Sequence, residues 1–186
     1  YFTKTKGCFL WDLDNNKYID MSYMGVGTNT LGYGNKEVDE AVLKNIKLGN
    51  LSTLNAPEEV YLAEELLKLN KWAQKVKFTR SGGEANAIAI RIARTFSRRD
   101  NIAICGYHGW HDWYLASNLK SNNSLDQFVM PGLNSIGVPK KLLGTTFPFF
   151  YNDYETLKKI VLTKNIGTIK MEVTRNSNPQ NNFLKK

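Results

Sequence analysis

The 186-residue sequence predicts an α/β fold: a mostly parallel sheet flanked by helices, preceded by an N-terminal hairpin and helix segment. Strand-like and helix-like segments alternate from residue 76 to residue 172, which is the rhythm of βαβ units. Residues 9–21 alternate in polarity on both sides of Asn15-Asn16. A glycine turn, Arg80-Ser-Gly-Gly-Glu-Ala-Asn-Ala87, stands at a strand-to-helix junction.

In chain order, Phe9–Asp14 and Lys17–Met21 read as the two arms of a hairpin. Gly25, Gly27, Gly32 and Gly34 mark a loop over 23–34. Asn35 is expected to cap a helix that buries Val38, Ala41, Val42 and Ile46 and ends at Gly49. A second helix starts near Pro57, with Glu58 and Glu59 in its first turn, and runs to about Leu69. Val76–Thr79 reads as a strand. The following helix, over 84–97, is expected to bury Ala85, Ile88, Ala89, Ile92, Ala93 and Phe96. Asn101–Cys105 is a strand, and 118–146 is an irregular stretch rich in Asn, Ser and Gly, the pattern of a functional or mobile loop region. Phe147–Phe150 is strand-like, Asn152 or Asp153 caps a helix carrying Leu157 and Ile160, and Gly167–Glu172 is the last strand. Domain boundaries are expected at 1–55 for the hairpin, glycine loop and helix, and at 56–186 for the alternating part.

Composition narrows the function classes. The chain is 42% hydrophobic and 23% charged, with no apolar run of membrane-spanning length and no signal-peptide pattern. It begins at Tyr1, so it is expected to lie inside a longer reading frame. Cys8 and Cys105 read as reduced thiols of a cytoplasmic protein. The net charge of +8 would suit an anionic ligand or nucleic acid. The basic residues are scattered, however, and Arg91, Arg94, Arg98 and Arg99 read as a solvated helix face. No nucleic-acid-binding signature accompanies them, so neither nucleic acid nor membrane is expected as a partner.

The chemistry-bearing residues gather where ligands collect in such sheets, at the carboxyl ends of strands. Three spots lie there: Ser81 to Glu84, Tyr107-His108, and Glu172. The first turn of a helix offers unpaired N–H groups and a positive dipole end, and glycine lets an anion approach them. Ser81, Gly82 and Gly83 therefore suit a phosphate, while an ordinary turn is the plain alternative. Neither dinucleotide nor Walker spacing is present, so a cofactor with one phosphate fits better. Cys105, His108, His111 and Asp112 could ligate a metal, but their spacing matches no standard zinc framework, and no metal is assigned. No nucleophile elbow accompanies the histidines. Trp110 and Trp113 read as packing beneath the loop, whereas Tyr107 could stack on a flat heteroaromatic ring.

These segments together resemble the class III aminotransferases, fold-type I pyridoxal-phosphate enzymes that include glutamate-1-semialdehyde aminomutase. The resemblance is carried by Trp11–Asp20, Leu31–Val42, Arg80–Asn86, Tyr107-His-Gly-Trp-His-Asp112 and Lys170-Met-Glu172, in order and over nearly the whole chain. It implies that 56–186 is the N-terminal half of the cofactor-binding large domain. It implies pyridoxal 5'-phosphate held by Ser81, Gly82 and Gly83 at its phosphate, by Tyr107 on its ring with His108 beside it, and by Glu172 nearby. Glu84 would support the turn, and Ser52 and Thr53 would border the substrate pocket. The implied reaction is amino-group transfer on a small amino or keto acid or amino-sugar-like substrate, as an aminomutase or an aminotransferase, in a homodimer. Two departures stand out: Gly83 occupies a place where the family often has Ser or Thr, and Val173 one where it has Pro. The family's Schiff-base lysine and its pyridine-pairing aspartate come later than Glu172. No catalytic residue is therefore assigned, and the chain is expected to be an N-terminal fragment, inactive in isolation. The alternative is a non-catalytic fragment that binds a phosphate ligand or a partner chain.

Overall fold

A computed structural model describes the chain apart from residues 50, 51, 122, 123, 127, 129–133, 175, 176 and 186. Two units emerge, Tyr1–Val76 and Lys77–Lys186. Helix α2 (Pro57–Leu69) falls in the first of them.

The first unit begins with an antiparallel meander of β1 (Phe2–Lys6), β2 (Phe9–Asp12) and β3 (Lys17–Ile19). The hairpin pairs Phe9 with Ile19 and Trp11 with Lys17. Its turn is organised by Asp12, whose carboxylate accepts from Asp14 N at 3.0 Å, Asn16 N at 2.9 Å and the Tyr18 hydroxyl at 2.8 Å. Strand β1 was not anticipated: Phe-Thr-Lys-Thr-Lys carries no apolar face of its own, and pairing with β2 supplies its order. Helix α1 (Lys36–Leu48) is capped by Asn35, which accepts from Val38 N at 3.2 Å, and ends at Gly49 with φ +91°. Its expected apolar face is a correction. Val38, Ala41, Val42 and Ile46 are all exposed, and no residue of α1 is buried. Amphipathic spacing determines which side chains share a face, but burial needs a surface to lie against.

The second unit is built on a parallel sheet of order β5-β4-β6: Thr146–Pro148, Asn101–Cys105 and Ile166–Met171. Strand β4 is central. Ile102, Ala103 and Ile104 are completely buried, as befits a strand covered on both faces. The core adds Ile90 of α3 (Gly82–Ser97), Trp113, Tyr114 and Leu115 of α4 (Asp112–Leu115), and Phe149. Leu157 and Ile160 of α5 (Tyr154–Thr163) pack against it. Phe183 in the polar tail also turns inward, its ring 5.2 Å from that of Tyr151.

Two expectations about the residues from 76 onward change, and one element is added. Val76–Thr79 forms no strand; it has the residues for one, but a strand exists only through a ladder partner, and none is found among the described residues. The buried face of α3 also shifts. Ile90 and Ala87 meet the core, while Ile92 is 60% and Phe96 92% exposed. Apolar residues nearly encircle this helix, so periodicity admits more than one face and the sheet chooses. Finally, α4 and the 3₁₀ turn Ala116–Leu119 follow the Tyr107–His111 loop and bury Ser117 and Asn118. The irregular stretch expected over 118–146 falls in part on 122, 123, 127 and 129–133, outside the described residues. Within it, Leu125 N donates to Asn118 Oδ1 at 3.2 Å. No helix among the described residues is long and apolar enough to cross a membrane.

The cap of α5 carries a pH dependence. Asp153 accepts from Thr156 N at 3.0 Å, and bonds from the Thr156 side chain and backbone hold its carboxyl below the usual carboxylate range. A lowered carboxyl stabilises the fold above its unfolded value. That contribution is lost as pH falls below about 4, through the folded value. Asp153→Asn keeps the cap acceptor without the charge. Thermal melts of this variant between pH 7 and pH 2.5 are expected to show a shallower acid slope than the parent; an identical slope would refute the assignment.

Candidate functional site

The turn at Ser81 is a capped helix start. Ser81 Oγ accepts from Glu84 N at 3.2 Å, and Glu84 turns back so that its Oε2 accepts from Arg80 N at 2.9 Å. This is a close relative of the capping box, offset by one residue at its return bond. Thr79 Oγ1 donates to Ser81 O at 3.0 Å and steadies the entry. Helix geometry leaves Gly82 N–H and Gly83 N–H without intrahelical acceptors. A Cβ on Gly82 would meet nothing within 4 Å, so the approach to these donors is open. The Ser81 hydroxyl, already accepting one bond, retains its own proton to donate.

Strand β4 delivers the second group. Its last carbonyl, on Cys105, accepts from Glu172 N at 3.1 Å and from His108 Nε2 at 3.0 Å. A carbonyl only accepts, so Nε2 carries the proton. His108 is 3% exposed, stacked on Trp113 and edge-on to Tyr114. It is a buried pillar of the loop. Tyr107 by contrast is 45% exposed, with its ring edge-on to Tyr114 at 6.1 Å. Tyr114 itself is buried and its hydroxyl donates to Gly106 O at 2.9 Å. The reading of Trp110 and Trp113 as packing divides: Trp113 is buried, whereas Trp110 is 71% exposed.

The loop then closes on the helix. A Cβ on Gly109, whose φ is +94°, would lie 3.0 Å from Gly83 Cα. Glu172, at the end of β6, packs its carboxylate against Gly106: a Cβ there would sit 2.7 Å from Glu172 Cδ and Oε2. Lys170, two residues earlier on the strand, has its amine pushed down by burial, with the Glu172 charge opposing that shift. The start of α3 thus meets the loop after β4 through Gly83 and Gly109, and Glu172 after β6 meets the same loop at Gly106; Tyr107 and His108 lie on that loop, and Ser81 and Gly82 lead into Gly83. Ser52 and Thr53 lie in the first unit, exposed, on the connection between α1 and α2; Ser52 Oγ accepts from Leu54 N at 3.1 Å. No cluster of three or more metal-ligating side chains occurs among the described residues.

Sequence reasoning assigned no role in this site to His111. Its ring lies against Gly83, with Nε2 2.7 Å from the place of a Cβ there. The available signal was its position two residues after Gly109.

Residues 1–143 match the family model for aminotransferase class-III. Glutamate-1-semialdehyde 2,1-aminomutase of Campylobacter hominis is 36% identical over 172 residues, 91% of this chain and 37% of that protein. The 3-aminobutyryl-CoA aminotransferase of Cloacimonas acidaminovorans is 33% identical over 162 residues, 87% and 35% of the two chains. Among solved structures, a transaminase with pyridoxal phosphate bound aligns with TM-score 0.78 and 26% identity over 92% of this chain and 40% of that one. An omega-transaminase from Sphaerobacter thermophilus has the same fold, with TM-score 0.82 and 23% identity over 100% and 44%. The chain spans well under half the length of the relatives it matches.

Proposed function

The chain belongs to the class-III aminotransferase family, whose members use pyridoxal 5'-phosphate, and on that premise we propose that it supplies the phosphate cradle and ring platform of such an enzyme. The observation that supports this most directly is the packing of Gly109 onto Gly83. It sets an aromatic side chain, Tyr107, on the loop that leads to an open, glycine-lined helix start.

The residues present fit the group. Two backbone N–H groups, the Ser81 hydroxyl and the positive end of a 16-residue helix favour a dianionic phosphate. Tyr107 provides a half-exposed ring for stacking, and Tyr114 braces it from behind. Glu172 is held close by its backbone bond to Cys105 O and by the absence of a side chain at 106. His108 acts through the loop that it anchors. When bound, pyridoxal phosphate supplies the electron sink for amino-group chemistry. None of the lysines here is assigned as its covalent partner.

The reaction we propose is amino-group transfer on a small amino or keto acid, with an aminomutase of the glutamate-1-semialdehyde kind favoured over an intermolecular aminotransferase. The enzyme is proposed to be a cytoplasmic homodimer. Titrating the whole protein with pyridoxal phosphate, followed by visible absorbance and tryptophan fluorescence, is expected to show saturable binding at micromolar concentration. Pyridoxal, which lacks the phosphate, should bind far more weakly. Absence of saturable binding to folded protein would overturn the proposal. Binding without amino transfer to any keto acid would favour the non-catalytic, phosphate-binding alternative.

A further inference from the structure

We infer that His111 is a second side-chain contact to the cofactor's phosphate, its imidazole edge occupying the space that a side chain at position 83 would otherwise fill. His111 has this role only if the pyridoxal-phosphate reading above holds. A Cβ on Gly83 would lie 2.7 Å from His111 Nε2 and 2.8 Å from Cδ2, closer than a carbon and a ring can approach. The ring and a residue-83 side chain therefore compete for one volume. The location of that volume matters. Each Cα–Cβ bond in a helix tilts toward the N-terminus, so the space belongs to the open end of α3, where Gly82 and Gly83 present their N–H groups.

The backbone holds the ring there. A Cβ on Gly109 would lie 3.0 Å from Gly83 Cα, so the loop packs on the helix start there through the absence of a side chain at 109. The His111 carbonyl accepts from Tyr114 N at 2.9 Å and Leu115 N at 3.1 Å, which pins the backbone at the start of α4. Trp110 leans on the imidazole, with ring centres 6.2 Å apart and planes 34° apart. The side chain makes no capping bond to α4. Beside it opens a cavity of about 390 Å³ lined by Trp110, His111, Asp112 and Trp113. An imidazole offers an N–H donor at Nε2 to an anion at the helix start. Of the nearby carboxylates, Asp112 is exposed in that lining and Glu84 is turned back onto Arg80 N–H.

The test compares dissociation constants for pyridoxal phosphate and for pyridoxal on the whole protein and three variants. His111→Ala is expected to weaken pyridoxal phosphate by about tenfold to a hundredfold, the range for a hydrogen bond to a charged group, and to leave pyridoxal unchanged. His111→Gln, which keeps an N–H at similar reach, should retain most of the affinity. In Gly83→Ser/His111→Ala the serine has the vacated space and should restore most of the loss. Unchanged pyridoxal-phosphate affinity in His111→Ala overturns the inference. So does an equal loss for pyridoxal, which would mark packing and not phosphate contact. A parent protein that binds no pyridoxal phosphate fails the functional reading itself, before any variant is compared.

Discussion

Gly106→Ala is expected to destabilise the second unit by about 2–4 kcal/mol, read from urea unfolding of the variant beside the parent. Two costs combine. The backbone at 106 has φ +101°, outside the left-handed region that a side chain tolerates at small cost. The added methyl would also lie 2.7 Å from Glu172 Cδ and Oε2, so the half-buried Glu172 carboxylate would have to shift. Moving Glu172 disturbs the Cys105 carbonyl, which receives both Glu172 N and His108 Nε2. Moving residue 106 also disturbs the carbonyl that Tyr114 bonds. A control separates the two costs. Gly137 has φ +90° and no atom within 4 Å of its virtual Cβ, so Gly137→Ala carries the strain alone. Equal losses at 106 and 137 would show that the Glu172 contact contributes nothing. A Gly106→Ala loss under about 0.5 kcal/mol would contradict the geometry altogether.

Phe149→Ala should cost more, about 3–5 kcal/mol, because an aromatic core side chain leaves a cavity that the sheet cannot close. Phe149 is 1% exposed, and its N–H donates to Ile104 O at 2.9 Å. The residue thus continues the pairing of β5 with the central strand. The next residue is the comparison: Phe150 is 44% exposed and packs on Phe128 with ring centres 5.5 Å apart. Phe150→Ala should cost about 1 kcal/mol. Equal unfolding midpoints for the two variants would mean that the core does not run through Phe149.

The legibility of the fold followed the range of the forces involved. Caps were readable where they are satisfied within a few residues: Asn35 bonds Val38 N, and Asp153, one of the two residues offered as a cap, bonds Thr156 N. Strand β4 was readable because a strand buried on both faces must be apolar throughout, as Ile-Ala-Ile-Cys is. Val76–Thr79 misled because four residues of suitable type do not make a strand without a neighbour. The same limit explains α1 and α3. Their apolar spacing was real, but which face is covered depends on other elements, and Phe96 and Ile46 remain exposed. In the site, Tyr107, His108 and Glu172 could be placed at strand ends from the βαβ rhythm. The contrast between a half-exposed Tyr107 and a buried His108 could not.

The sequence by itself determined the starts of α1, α2 and α5, the central strand, the glycine turn and the family, because each rests on residues close together or on a motif kept in order. Only the tertiary structure decided that Gly109 and His111 close over Gly83, and that Gly106 yields its space to the Glu172 carboxylate. Those contacts join segments 26 and 66 residues apart, and their physical basis is a missing side chain at 83, 106 and 109. Glycine in a sequence records permission for close approach; the fold determines which group takes the space.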